Sequence, residues 1–323
     1  MNPPPDLSLL TPPSLPRFEV GIDAPDISDW MAGNIGLPGF SSYRGPEPGP
    51  HVALLAVTHG NEIAGAVLLD KLLRQGIRPL RGTLTLGFGN LDAYARFDPA
   101  QPTASRFVDE DLNRVWGLDM LDGNRENSEL RRAREIRPLI DQIDILLDLH
   151  SMLWPSAPLM LSGTAGKGLD LARRIGVPEL VVADAGHVAG LRLRDYGAFS
   201  DPSMPQVSNL IEAGQHWTTA TVELMERAAL TLLHNIGMIA TAPSPIQAGP
   251  QRVAEVTHTI TANTSGFVFV QEFHGGDVIT RRNTLIALDG TNEIRTPHDN
   301  CLLVMPSLRP SRGHTAVRLA RFL

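Results

Sequence analysis

The chain has 323 residues, 42% of them hydrophobic and 20% charged, with a formal net charge of −7. This composition fits a globular protein with a buried core, as one large domain or two ordinary ones. It excludes the basic surface of a general nucleic-acid binder, and no apolar run approaches the ~18 residues that a membrane helix needs.

Residues 1–16 hold six prolines and neither a basic nor an apolar signal-peptide region. An arm is expected there, poorly ordered or docked on a neighbouring subunit, within an N-terminal segment 1–45 that is partly ordered. From His51 the pattern turns α/β. Val52–Val57 is a continuous apolar run, as in a strand buried on both faces. Glu62–Leu73 has helical spacing, with Ala66, Leu69 and Leu73 on one side, and Thr83–Phe88 reads as a second strand. Residues 97–127 are polar and irregular, long enough to suggest a loop that is either functional or disordered. A helix over Ser128–Asp141 and a buried strand over Ile143–Leu149 follow. Pro158–Leu161, Leu180–Val182 and Val207–Ile211 are further strands, and Ala220–Ile236 is an amphipathic helix. The alternation predicts a mostly parallel or mixed sheet with helices on both faces, in a domain over 46–242.

Ala242–Pro250, with three prolines, reads as a linker. Beyond it, Gly266–Val270, Val278–Thr280 and Leu285–Leu288 are short strands between glycine turns, predicting a small all-β domain over 251–323. Its rhythm is similar to that of lipoyl and biotinyl carrier domains. All but Lys71 and Lys167 of the 28 basic residues are arginine, so this domain offers no lysine for such a cofactor. Its expected role is structural or interfacial. Cys301 is the sole cysteine, which rules out an intramolecular disulfide and suits a reducing compartment.

Four clusters could carry chemistry. His59 follows the first strand and Glu62 opens the next helix. In open α/β sheets, ligands bind at the carboxyl ends of strands, and an imidazole and a carboxylate there can share one metal ion. The alternative is a merely hydrogen-bonded histidine. His150, in Asp148-Leu149-His150-Ser151, ends a second buried strand and would be a third protein ligand, leaving a fourth position open. Alternatively, Asp148 and His150 form a structural pair. Arg106–Arg114 offers planar donors suited to a carboxylate, or else a solvated loop with local ion pairs. Glu212 ends the apolar strand Val207–Ile211 and could take a proton from activated water, or serve as an edge or cap.

Taken together, H-x-x-E, R-x₄-D-x-N-R, D-L-H-S and E-A-G, in that order, resemble the succinylglutamate desuccinylase/aspartoacylase family of the zinc carboxypeptidase-like fold group. The resemblance covers residues 50–240, and the β domain is similar to the C-terminal domain of many members. It implies one zinc ion per chain on His59, Glu62 and His150, with Glu212 as general base. It implies that Arg106 polarises the carbonyl, that Asn113 and Arg114 bind the amino-acid carboxylate, and that Asp111 supports His59. The family's aspartoacylases hold a second substrate carboxylate with an arginine and tyrosines. Arg192, Arg194 and Tyr196 are candidates for that role by residue type alone.

The reaction so implied is hydrolysis of an N-acyl amino acid to a carboxylate and a free amine, by a cytoplasmic enzyme. Its expected partner is the small-molecule substrate, with a homo-oligomer admitted and neither nucleic acid nor membrane expected. The alternatives are a metallocarboxypeptidase acting on peptides and a metal-binding protein without catalysis.

Overall fold

The computed structural model describes residues 18–187, 189–243 and 249–323. The prolines of 1–16 and the middle of the expected linker lie outside them. The described chain divides into a larger unit, Glu19–Leu153 with Pro158–Val253, and a smaller one, Phe18 with Trp154–Ala157 and Ala254–Leu323.

The larger unit carries β1 (Phe40–Arg44), β2 (Glu47–Ala56), α1 (Ile63–Arg74), β3 (Arg81–Phe88), and the short helices α2 (Leu91–Tyr94) and α3 (Leu118–Leu121). It continues through α4 (Ser128–Ile140), β4 (Ile145–Met152), β5 (Leu159–Leu161), α5 (Gly166–Ile175), β6 (Leu180–Ala183), β7 (Val207–Gln215) and α6 (Thr219–Asn235). Its strands lie in the order β1-β3-β2-β4-β7-β5-β6. The β3-β2-β4-β7 centre is parallel and so is β5-β6, whereas β1 pairs antiparallel with β3 and β5 antiparallel with β7. The sheet is therefore mixed.

Alternation along β2 assigns the two faces. Ala56 meets Gly65 of α1, with Leu149 of β4 beside it. Ala53, Leu55 and Leu146 point the other way, into a core with Leu130, Ala133 and Ile136 of α4 and with Trp116. Both faces are thus covered by helices, which is why the central strands read as unbroken apolar runs.

Four boundaries differ from the sequence reading. The larger unit begins at Glu19, because β1 pairs along β3 from Phe40↔Gly87 to Arg44↔Thr83. Trp154–Ala157 joins the smaller unit, where Ser156 bridges Gly275. His150 and Glu212 are not terminal residues, since β4 runs to Met152 and β7 to Gln215. A charged residue interrupts an apolar pattern but not a backbone ladder, and Glu212 is paired on both sides, with His150 and Leu159. Helix α5 escaped the reading because two glycines, Gly166 and Gly168, lie inside it. At Gly168 a Cβ would overlap the Ser162 carbonyl.

The smaller unit is all-β among the described residues. Strands β8 (Arg252–Thr261), β9 (Phe267–Phe269), β10 (Val278–Ile279), β11 (Leu285–Asp289), β12 (Asn292–Arg295), β13 (Cys301–Val304) and β14 (Thr315–Phe322) form two antiparallel groups, β8-β14-β13-β10 and β12-β11-β9. Their core gathers Phe267, Phe269, Phe273, Leu303 and Val317.

Candidate metal centre and active site

The site lies wholly in the larger unit, past β2 and along β4 and β7. After β2 the chain turns at buried Val57, whose φ is +61°. That region costs a β-branched residue on the order of 1–3 kcal/mol. At Gly60 a Cβ would collide with the backbone of Ala93 and Ser105, so the His59–Glu62 turn needs glycine there. Glu62 then precedes the first turn of α1.

His59, Glu62 and His150 are all nearly inaccessible, and their ligand atoms lie within 4.8 Å of one another. Glu62 Oε1 is 2.6 Å from His59 Nδ1, and Oε2 is 3.1 Å from His150 Nδ1. The opposite nitrogen of each ring faces a carboxylate. His59 Nε2 is 2.8 Å from Asp111 Oδ1, and His150 Nε2 is 3.0 Å from Asp148 Oδ2. Nδ1 of each ring thus faces Glu62, and only when the Nδ1 proton is given up, with Nε2–H kept on the aspartate side, does Nδ1 offer a lone pair to an ion. Two imidazoles and a carboxylate, with Asp111 hydrogen-bonded to His59 from behind and Asp148 close to His150, form a donor set suited to a zinc-class ion. The site residues therefore fit the ion implied by the motifs.

The electrostatics of the metal-free chain reflect this crowding. Burial works to raise the Glu62 carboxyl, but the two imidazoles outweigh it and hold it well below the usual carboxylate range. Asp111 is likewise held low, by His59 and Arg106 against burial. Glu212 goes the other way, pushed up to about 8 by burial and by the neighbouring Glu62. Its Oε2 is buried and has no hydrogen-bond partner among the described residues.

The loop residues converge from the other side. Arg106 Nη2 donates to Asp111 Oδ2 at 3.1 Å, and its Nη1 lies 3.4 Å from Glu62 Oε1, which sets a guanidinium at the edge of the ligand cluster. Asn113 and Arg114 sit on a single 3₁₀ turn, Leu112–Arg114. Asn113 Oδ1 accepts from the Leu193 N–H at 2.9 Å, and its Nδ2 lies 3.5 Å from His150 Nε2, at the ligand cluster. Arg114 Nη1 donates to the Asn113 carbonyl at 2.7 Å.

The three residues chosen by type do not join the site. Arg192 is buried between Asp184 and Asp195, and Arg194 pairs with Asp195 and the Ser162 and Ser208 carbonyls. Tyr196 hydrogen-bonds Arg137 and Asp141.

Of the residues that back the ligand cluster, sequence reasoning missed Ser151 and His216. Asp148, which the sequence offers only as the partner in a structural pair with His150, does lie 3.0 Å from that ring, since residues two apart on a strand share a face. The Ser151 N–H donates to Glu62 Oε2 at 3.0 Å, and its hydroxyl pairs with His216 Nδ1 at 2.7 Å. Burial pushes that imidazole down to about 3, so it stays neutral. No motif marked His216.

Residues 48–187 match the model of the succinylglutamate desuccinylase/aspartoacylase catalytic domain. This segment belongs to that family. Within it, aspartoacylase of Mus musculus is 32% identical over 121 residues, covering 35% of this chain and 37% of the mouse protein. A probable aspartoacylase of Parasynechococcus marenigrum is 34% identical over 133 residues, covering 38% of this chain and 41% of that protein. The matches therefore span about two fifths of the relatives' length. A solved succinylglutamate desuccinylase structure from Vibrio parahaemolyticus superposes with a TM-score of 0.66 over 88% of this chain and 86% of that one, at 17% identity. The likeness extends the family fold beyond the matched segment. The family match contains His59, Glu62, the Arg106–Arg114 loop and His150, while Glu212 lies past its end.

Proposed function

We propose that this chain is a zinc-dependent deacylase that hydrolyses the amide bond of an N-acyl amino acid, giving a carboxylate and a free amine. The observation that carries this reading is the cluster of His59, Glu62 and His150, with the partnerless carboxylate oxygen of Glu212 on the adjacent strand. The aspartoacylase names of the sequence relatives agree with it.

One ion per chain would be held by His59 Nδ1, Glu62 and His150 Nδ1. When bound, a zinc-class ion supplies a Lewis acid that makes water easier to deprotonate and draws charge from a carbonyl. Glu212 accepts the proton of the attacking water and then delivers it to the leaving nitrogen. A carboxylate with no hydrogen-bond partner on one oxygen among the described residues suits both halves of that transfer. Arg106 stabilises charge growing on the carbonyl oxygen, where a positioned donor is typically worth about 3 kcal/mol. Asn113 Nδ2 and the Arg114 guanidinium hold the amino-acid carboxylate and so place the amide. Asp111 and Asp148 fix the two imidazoles. A cytoplasmic setting is part of the proposal and rests on the single cysteine. No described helix is long and apolar enough to cross a membrane.

Paired assays on an N-acetyl amino acid and on an N-blocked dipeptide test the reading. Turnover of the first without the second supports a deacylase. The reverse would make the chain a metallocarboxypeptidase.

A further inference from the structure

Glu129, on the first turn of α4, is fully buried. A glutamate on a first helical turn ordinarily points to water, where the helix dipole favours it at little cost. Here the carboxylate makes no ion pair among the described residues and is satisfied entirely by N–H donors. Oε1 accepts from Val108 N at 2.6 Å and from Asn90 Nδ2 at 3.0 Å. Oε2 accepts from Asp109 N at 3.0 Å and Glu110 N at 3.2 Å. Three successive backbone amides of the site loop thus close on one carboxylate. A buried charge without a cation is costly unless such hydrogen bonds compensate it. What this one fixes is a loop conformation.

The clamped residues lie between two groups of the site. Arg106 is two residues before Val108, and Asp111 directly follows Glu110. The Arg106 carbonyl also accepts from Gly60 N at 3.1 Å, tying the loop to the His59–Glu62 turn. Asn113 is held separately, through Leu193 N. The helix keeps its own cap, since Asn127 Oδ1 accepts from Leu130 N. The carboxylate of Glu129 is therefore not needed to start α4.

We infer that Glu129 is a positioning residue that sets the Arg106–Asp111 loop, and through it the Arg106 guanidinium, against the ligand cluster. This rests on the deacylase reading for its kinetic consequence but not for its structural one. If Arg106 acts on charge developing in the transition state, loss of the clamp lowers kcat and leaves KM nearly unchanged.

The test uses Glu129→Gln in the full-length metal-loaded protein. The amide keeps the shape but sets a donor against donors at one of the two oxygens. Amide hydrogen exchange at Val108, Asp109 and Glu110 should quicken at least about tenfold while β4 and β7 stay protected. On an N-acetyl amino acid, kcat should fall by roughly 10- to 100-fold, the scale of losing a hydrogen bond to a charged group. In an Arg106→Ala background the same substitution should cost less than about threefold, because it acts through the group already removed. If the Gln variant does not fold, Glu129→Asp, which keeps the charge but shortens the reach, is read in the same way. Unchanged exchange at the three amides overturns the clamp. A full, additive loss in the Arg106→Ala background overturns positioning through Arg106. A wild-type protein inert on N-acyl amino acids would refute the deacylase reading, and the exchange data would still decide the clamp.

Discussion

His150 and Glu212 are register partners on the parallel strands β4 and β7, so a candidate metal ligand and the candidate base project side by side from the same sheet face. Glu212 is paired on its other side with Leu159, which leaves it little freedom to move. Glu212→Gln should keep the fold and the bound metal but lower kcat by roughly two to four orders of magnitude, because the amide cannot accept the proton. Steady-state kinetics with metal content measured on the same sample check this. Near-normal kcat would assign the base elsewhere.

The ligand set makes its own prediction. His150→Ala removes one of three protein donors and leaves Glu62 and Asp148 facing a cavity. Zinc content after dialysis should fall from about one ion per chain to nearly none, as expected when a three-ligand site loses a ligand. Asp111→Asn should act more mildly, weakening metal affinity by about 10- to 100-fold through the orientation of His59. Full metal retention in His150→Ala would remove that residue from the site.

The metal-free protein should become less stable as pH rises from about 6.5 to about 8. The folded chain holds the Glu212 proton up to about pH 8, whereas the unfolded chain releases it near the ordinary glutamate value. Over that window the folded state binds more protons, so stability declines with pH. His150 adds to the decline. Burial lowers its pKa, but Asp148 and Glu62 outweigh that and raise it well above the usual range, so its contribution is lost as pH climbs through the folded value. Glu62 and Asp111, both held low, act at the other end, and their contribution is lost as pH falls below the ordinary carboxylate range. His216, kept neutral by burial, acts in the opposite sense below about pH 6.5, so thermal unfolding of the metal-free protein should show Tm falling between about pH 6.5 and pH 8, with a shallower fall in Glu212→Gln. A Tm that rises across this interval would contradict the assignment.

In the proposed reaction Arg114 is the group that pairs with the substrate's α-carboxylate. Truncating one partner of a buried charged hydrogen bond costs on the order of 2–5 kcal/mol. Arg114→Ala should therefore reduce kcat/KM by roughly 30- to 5000-fold. Arg114→Lys should also impair the enzyme, because the fork geometry is lost. The defect should shrink on a substrate whose α-carboxylate is replaced by a neutral amide. Equal losses on acid and amide would show that Arg114 does not hold the carboxylate.

The ligand cluster was legible in the sequence because each member follows or lies on an apolar run, and a buried parallel strand advertises itself. His59 and His150 could be placed along one sheet edge from that pattern alone. Glu212 was found for the same reason but placed at a strand end, since an acidic residue looks like a terminus although the β7 ladder continues through it. Glu129 and His216 left no signal. One sits in a charged helix, where one more acidic residue does not stand out, and the other follows the last strand of the larger unit without a motif. Their roles depend on which backbone amides and hydroxyls surround them. Arg192, Arg194 and Tyr196 show the converse, since residue type alone suggested a substrate role and their ion pairs and hydrogen bonds place them elsewhere.

The most direct test of metal-dependent deacylation is amine release from a small panel of N-acetyl and N-succinyl amino acids, measured in parallel for zinc-loaded protein, chelated protein and His150→Ala. The account predicts turnover of at least one substrate by the zinc-loaded protein, loss on chelation, recovery when zinc is restored, and no recovery in His150→Ala. A folded, zinc-loaded protein that releases no amine from any of them, or equal turnover with and without metal, would contradict it.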